Sequence, residues 1–115
     1  MRYFLGVDVG GTKTHALIAD ENGNALGFGT DGAGNWQAVG FDGLRKVLNV
    51  TIHRALRIAN LRLDQISAAG FGIAGYDWPS QLPSHLDAIA SIGLSCPIEL
   101  ANDSVIGLMA GAAQG

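Results

Sequence analysis

Alternating apolar and polar positions open the chain and predict a β-strand over residues 3–9. Two further short apolar stretches, residues 14–19 and 25–30, follow it. Between these two stretches lies a turn-forming run, residues 20–24, whose Asn and Gly tolerate positive backbone φ angles. Three strands so closely spaced along the sequence predict an antiparallel meander.

Helical spacing replaces the strand pattern in the middle of the chain. Apolar residues recur every three or four positions over residues 41–60, which predicts the longest helix, and residues 31–36 before it predict a loop. Strands and helices then alternate: a strand over residues 66–73, a helix over 80–92, a strand over 97–100 and a final apolar helix over 105–113. The order βββαβαβα predicts an α/β fold, with a mixed sheet and helices on its faces.

Composition excludes several classes of protein. Hydrophobic residues make up 48% of the 115 residues and charged residues 15%, which is too apolar for a disordered chain. The net charge of -3 lacks the basic excess of a nucleic-acid-binding protein, and no apolar run approaches the length of a membrane span. The single Cys96 cannot form an internal disulfide, which fits a reducing compartment. We therefore expect one cytoplasmic domain that binds neither nucleic acid nor membrane.

The first candidate site lies where the first predicted strand turns into the second. It consists of glycines and polar residues: Asp8, Gly10, Gly11, Thr12, Lys13 and Thr14. Glycines allow backbone N–H groups to approach a phosphate closely, threonine hydroxyls can donate to phosphate oxygens, and the lysine adds positive charge. The carboxylate of Asp8 can hold Mg²⁺ directly or through a water. The alternative is an ordinary Gly-Gly hairpin with no ligand.

Polar residues beside later predicted strands form three further candidate sites. Asp103 starts the final predicted helix, where it is either a helix cap or a carboxylate that accepts a proton from an attacking hydroxyl. The loop containing Asn35 and Trp36 and the loop containing Gly75 and Asp77 carry side chains that can pair with sugar hydroxyls or stack on a sugar ring. Packing in the core is the alternative for the tryptophan.

Taken in order, the four motifs resemble a known family. The chain is similar to the N-acetylglucosamine kinases and the related BadF/BadG/BcrA/BcrD-type ATPases of the sugar kinase and actin superfamily, and the similarity extends over nearly the whole sequence. The resemblance rests on residues 6–14 (GVDVGGTKT), 34–36 (GNW), 72–77 (GIAGYD) and 102–103 (ND). It implies a ribonuclease-H-like, actin-like ATPase lobe with sheet order 3-2-1-4-5, and it implies ATP and Mg²⁺ as cofactors.

The resemblance also implies roles for individual residues. Asp8 corresponds to the acid that organises Mg²⁺, and the glycine-rich run over residues 10–14 corresponds to the phosphate contacts. The sugar-binding positions are Asn35, Trp36, Gly75 and Asp77. Asp103 corresponds to the catalytic base.

Such proteins have a second lobe that carries another phosphate loop and the adenosine pocket, and nothing in this sequence resembles that second loop. We therefore expect residues 1–115 to be the N-terminal lobe of a two-lobe protein, inactive alone, with its own C-terminal lobe as a partner. The apolar final helix also suggests self-association, as in a homodimer.

The leading hypothesis is an ATP-dependent kinase that phosphorylates a hydroxyl of glucosamine, N-acetylglucosamine or a related sugar. One alternative is an activator ATPase that couples ATP hydrolysis to electron transfer in an acyl-CoA reductase or dehydratase. Such activators bind an iron–sulfur cluster through cysteines, which Cys96 alone does not supply. Another alternative is a sugar-sensing module without catalysis. Sugar kinases of the ROK type share the first motif, but the later motifs fit them less well.

Overall fold

A computed structural model of the chain describes residues 1–34, 36–73 and 82–101. Its elements are β1 (Tyr3–Val9), β2 (Thr14–Asp20), β3 (Ala25–Asp31), α1 (Trp36–Ala59), a short 3₁₀ helix (Leu63–Gln65), β4 (Ala68–Ile73), α2 (Leu82–Ala90) and β5 (Ile98–Ala101). The predicted order of strands and helices is therefore confirmed as far as β5. The final helix predicted over residues 105–113 lies outside the described residues.

The five strands form one mixed sheet in the order β3-β2-β1-β4-β5. Short turns join β1, β2 and β3, so these strands pair antiparallel, whereas β1 pairs with β4, and β4 with β5, in parallel. Parallel neighbours need long crossovers, and α1 and α2 provide them. The expected sheet order 3-2-1-4-5 and the ribonuclease-H-like fold class are confirmed.

One face of the sheet and the two helices enclose the hydrophobic core. From Leu5 onward every second residue of β1 is buried, which is the alternation that predicted the strand. The core side chains from strands and helices include Leu5, Val7, Val9, Ile18, Leu44, Leu48, Ile52, Phe71, Ile73 and Ile89. Within the described residues, no helix is long and apolar enough to cross a membrane.

Two glycines let α1 lie directly on β3. A Cβ at Gly27 would collide with the carbonyl oxygen of Ala55, and a Cβ at Gly29 would collide with that of Thr51. Both glycines are buried, so the inward positions of β3 hold backbone rather than side chains. The helix therefore contacts the sheet more closely than any larger residue would permit.

The helix α1 begins five residues earlier than residue 41, the start predicted from spacing. It starts at Trp36, and Gly40, with φ of 73° and ψ of 173°, divides it into a short first segment and a long second one. The second segment begins at Phe41, as the apolar pattern predicted. At the other end, Asn60 adopts a left-handed φ of 58°, and the Leu61 N–H donates to the Leu56 carbonyl, which closes the helix in a Schellman-type cap.

Two later elements differ from their predicted bounds at one described end. The strand expected over residues 66–73 begins at Ala68, because the Ile66 N–H donates to the Leu63 carbonyl at the end of the 3₁₀ helix. The helix expected over residues 80–92 ends at Ala90, and residues 80–81 at its expected start lie outside the described residues. Neither difference changes the topology.

Candidate functional site

A tight hairpin between β1 and β2 forms the centre of the candidate site. The Gly10 N–H donates to the Lys13 carbonyl at 2.9 Å, which leaves Gly11 and Thr12 at the tip. The segment from Gly11 to Lys13 is exposed, and within the described part of the chain the Lys13 ammonium forms no ion pair. The hairpin therefore presents backbone N–H groups, a hydroxyl and a free positive charge to solvent.

The two glycines of this hairpin differ in what surrounds them. A Cβ at Gly10 would lie 2.7 Å from the Lys13 carbonyl oxygen, so the turn itself requires glycine there. A Cβ at Gly11 would meet no atom within 4 Å, and the residue has no positive φ. The described structure gives no internal reason for glycine at this position, whereas a ligand that approaches the backbone would give one.

Asp8 lies beside the hairpin, one residue before the end of β1. It is half-buried and pairs across the sheet with His15 of β2 and Gly72 of β4. Its carboxylate makes no hydrogen bond or ion pair with the residues that the structure describes. Among those residues there is also no cluster of three or more metal-ligating side chains. A single free carboxylate suits Mg²⁺, which usually takes one or two carboxylates together with phosphate oxygens and water.

Thr14, the last of the predicted phosphate contacts, has a partner inside the protein. Its side chain is 0% exposed, and its hydroxyl donates to the Gly32 carbonyl at 2.9 Å. The one hydroxyl proton is therefore used inside the protein in this structure, and the role of Thr14 as a phosphate contact stays a prediction. The residue ties the base of the hairpin to the loop after β3.

Gly34 brings that loop, which leads to the predicted sugar-binding residues, against the hairpin. Its N–H donates to the Gly10 carbonyl at 3.2 Å, and a Cβ there would lie 2.6 Å from Val9 Cγ1. Asn35 lies outside the described residues, and nothing is described of the Trp36 side chain. The backbone of Trp36 begins α1, whereas the sequence predicted a loop at this residue.

The register of the parallel strands aligns their carboxyl ends with the hairpin. Asp8 pairs with Gly72, and Gly72 pairs with Ala101, so β1, β4 and β5 end at the same edge. Ligands of α/β sheets bind at such edges. Gly75 and Asp77 follow β4 in sequence, and Asp103 follows β5, but all three lie outside the described residues.

His15 is a polar residue of this region that the sequence did not single out. It is the cross-strand partner of Asp8, and its ring stacks on Phe28 at a centroid distance of 5.6 Å. Its Nδ1 is buried and has no hydrogen-bond partner among the residues that the structure describes. The strand alternation already places it on the same face as Asp8. The missing partner of Nδ1 is visible only in three dimensions.

Comparison with known proteins decides the family. Residues 5–98 match the sequence profile of the BadF/BadG/BcrA/BcrD ATPase family. The chain belongs to this family. This membership confirms the resemblance that the motifs indicated, places the chain among the kinases and ATPases of the sugar kinase and actin superfamily, and implies the use of ATP.

Individual relatives of this family member include sugar kinases. An N-acetylmuramic acid/N-acetylglucosamine kinase of Clostridium acetobutylicum is 31% identical over 111 residues, which cover 96% of this chain and 36% of the relative. A Porphyromonas gingivalis protein assigned as an N-acetylglucosamine kinase superposes with a TM-score of 0.65 at 26% identity, over 90% of this chain and 34% of that one.

A more distant structure supports the fold alone. The ROK family glucokinase of Streptomyces griseus, solved with glucose and AMPPNP, superposes with a TM-score of 0.65 at 24% identity, over 89% of this chain and 33% of that one. The chain thus spans about a third of the length of the relatives it matches.

Proposed function

We propose that the chain is the N-terminal lobe of an ATP-dependent sugar kinase that phosphorylates a hydroxyl of glucosamine, N-acetylglucosamine or a closely related amino sugar. The observation that carries the proposal is that, among the described residues, no atom lies within 4 Å of a Cβ at Gly11 and none pairs with the carboxylate of Asp8, three residues earlier in the chain. The similarity to an N-acetylmuramic acid/N-acetylglucosamine kinase supports an amino sugar as the acceptor.

In this proposal the hairpin binds the phosphates of ATP. The exposed backbone at Gly11 approaches the phosphate oxygens closely, Thr12 donates its hydroxyl, and the Lys13 ammonium, which has no ion pair in the described part of the chain, neutralises negative charge. The free carboxylate of Asp8 fits a hydrated Mg²⁺. A bound Mg²⁺ would neutralise charge on the β- and γ-phosphates, which is the main requirement of phosphoryl transfer.

The acceptor sugar binds on the same edge of the sheet. We assign Asn35, Trp36, Gly75 and Asp77 to sugar binding. Asp103 acts as the general base, which takes the proton from the sugar hydroxyl as its oxygen bonds to the γ-phosphorus. The common edge at which β1, β4 and β5 end supports this grouping, because the segments after β4 and β5 leave the sheet beside the hairpin.

The remaining contacts to ATP come from a second lobe in this proposal. The chain spans about a third of its relatives, which supports a longer protein with a separate adenosine pocket. The isolated lobe keeps only part of the phosphate contacts, so we expect it to bind ATP at millimolar concentrations or more weakly and to transfer no phosphate.

Within these 115 residues, Cys96 alone does not favour the activator ATPase, and cysteines in the rest of a longer protein would decide between this alternative and the kinase. Cys96 is the single cysteine among the 115 residues, and iron–sulfur clusters need several thiolate ligands. The Cys96 side chain is half-buried, and burial raises the pKa of its thiol, which disfavours the thiolate form that binds metals. Nothing in the described part of the chain therefore favours an iron–sulfur site.

A comparison of two glycine substitutions tests the proposal. In Gly11→Ala, the new Cβ meets no described atom, so the melting temperature should not fall. The same Cβ would occupy the space that the phosphates of ATP take in this proposal. We expect ATP affinity in the full-length protein to drop about 10- to 100-fold, which corresponds to a steric cost of roughly 1–3 kcal/mol. Isothermal titration with MgATP measures the affinity, and a coupled assay with N-acetylglucosamine and glucosamine measures the transfer.

Gly32→Ala is the matched control. Gly32 is also exposed, has no positive φ, and its added Cβ would likewise meet no atom within 4 Å. This variant should bind ATP and phosphorylate sugar like the wild type. Equal ATP affinity in the two variants would show that no phosphate lies over Gly11. ATP hydrolysis that no amino sugar stimulates would argue against the kinase.

A further inference from the structure

Two polar residues of β1 and β2 occupy directly opposite positions, and their side chains have unpaired polar atoms among the described residues. Asp8 and His15 are directly opposite in the antiparallel register, so their side chains share one face and their Cβ atoms are neighbours. The Asp8 carboxylate has no hydrogen-bond or ion-pair partner among the described residues, and His15 Nδ1 is buried with none. Both residues lie within a few positions of the exposed hairpin tip.

This arrangement is unfavourable unless a ligand completes it. A buried ring nitrogen without a hydrogen bond is destabilising relative to one that is satisfied, because it has lost its hydrogen bonds to water. Stacking against Phe28, with 5.6 Å between the centroids and an interplanar angle of 27°, holds the imidazole in place. The ring therefore keeps Nδ1 buried, at the position directly opposite Asp8 in the sheet, instead of turning that atom to solvent.

We propose that His15 is a positioning residue for Asp8: its Nδ1–H donates to the Asp8 carboxylate, directly or through one water, when Mg²⁺ and nucleotide are bound. This inference rests on the proposed function, because it takes Asp8 as the Mg²⁺-organising acid. Groups that hydrogen-bond a metal-organising carboxylate fix its orientation and increase its affinity for the metal. His15 itself touches neither the metal nor the phosphates in this proposal.

Two polar substitutions separate the ring nitrogens. The side-chain amide of asparagine falls near the position of Nδ1, whereas that of glutamine falls near Nε2. We therefore expect His15→Asn to bind MgATP nearly as the wild type does and His15→Gln to bind it about tenfold more weakly. Titration with ATP in EDTA, which removes Mg²⁺, should give the same affinity for the wild type and both variants.

His53→Gln serves as the matched control. His53 is exposed on α1, and its Nδ1 already contacts the Asn49 carbonyl oxygen at 2.7 Å, so its replacement should change neither titration. Melting temperatures of the ligand-free proteins show whether His15→Gln acts through stability. Equal MgATP affinities for His15→Asn and His15→Gln, or an equal loss with and without Mg²⁺, would overturn the assignment of His15.

The double variant Asp8→Asn/His15→Gln distinguishes failure of this inference from failure of the proposed function. We expect Asp8→Asn to remove the difference between titrations with and without Mg²⁺, and His15→Gln to add nothing further in that background. If Asp8→Asn keeps the full Mg²⁺ dependence, the metal role in the proposed function is wrong. A different outcome is that Asp8→Asn loses the Mg²⁺ dependence, but His15→Gln weakens MgATP binding by the same factor in the wild type and in Asp8→Asn. In that case only the role of His15 is wrong.

Discussion

Replacing Gly29 with alanine should push α1 away from β3. The added Cβ would lie 2.9 Å from the Ala55 backbone nitrogen and 3.0 Å from Arg54 Cβ, and it would overlap the Thr51 carbonyl oxygen. Two of these three atoms belong to the helix backbone, so no rotamer change can relieve the contact. Because favourable heavy-atom separations begin at about 3.5 Å, the contact with Ala55 alone requires a shift of roughly 0.6 Å, and the overlap with the Thr51 carbonyl oxygen requires a larger one.

The free-energy cost follows from two opposing effects. Overpacking of a well-packed core costs about 1–3 kcal/mol, and a clash with backbone on a rigid helix belongs at the upper end of that range. Replacing glycine inside a strand recovers roughly 0.5–1 kcal/mol of backbone entropy. We therefore expect Gly29→Ala to reduce the free energy of unfolding by about 2 kcal/mol.

Urea unfolding of the 115-residue chain, followed by circular dichroism, measures this change. For a slope of about 1.5 kcal/mol per M, the midpoint should fall by about 1 M. Gly32→Ala makes the same chemical change at an open position, so its midpoint should stay the same or rise slightly. If Gly29→Ala unfolds at the same urea concentration as Gly32→Ala, the close contact between α1 and β3 does not exist.

Two further predictions concern carboxylates. Asp20 accepts hydrogen bonds from the Asn24 side chain and from the backbone N–H groups of Asn24 and Asn22, and these hold its pKa below the ordinary value of 3.8. Their contribution to stability is therefore complete above pH 3.8 and disappears as the pH falls through the lower pKa of the folded protein. Urea midpoints of the wild type between about pH 2 and 6 should therefore fall more steeply with acid than those of Asp20→Asn, and parallel curves would contradict this origin. Asp103→Asn in the full-length protein should slow sugar phosphorylation by about 10²- to 10⁴-fold at unchanged ATP affinity, and a nearly wild-type rate would leave Asp103 only a helix cap.

Local patterns were sufficient to predict β1 and the second segment of α1. The observed bounds of β1, Tyr3–Val9, equal the predicted ones, because every second side chain enters the core and hydrophobicity records that directly. The inward positions of β3 hold Gly27 and Gly29, which carry no hydrophobic signal. Their importance depends on the approach of α1, which is distant in sequence, so no pattern within the strand could reveal it.

The candidate site shows the same division between local and distant information. The hairpin residues are adjacent in sequence, so their motif indicated a phosphate-binding turn. Whether each threonine faces solvent depends on partners elsewhere: Thr12 is exposed, whereas Thr14 donates to the Gly32 carbonyl. The buried Nδ1 of His15 also results from packing against Phe28 on another strand. Neither the contact of Thr14 with Gly32 nor that of His15 with Phe28 can be predicted from the spacing of residues in the sequence.

The central position of β1 in the sheet has a consequence for how the chain folds. On one side β1 pairs through the tight hairpin with β2, a local contact that forms with little loop-closure entropy. On its other side it pairs with β4, and the adjoining hydrogen bond from the Tyr3 N–H to Ser67 Oγ joins residues 64 positions apart. Folding rates fall as such long-range pairings come to dominate. During synthesis the meander can therefore assemble first, while one edge of β1 stays open until β4 has emerged, and this interval is when the nascent chain is most prone to aggregate.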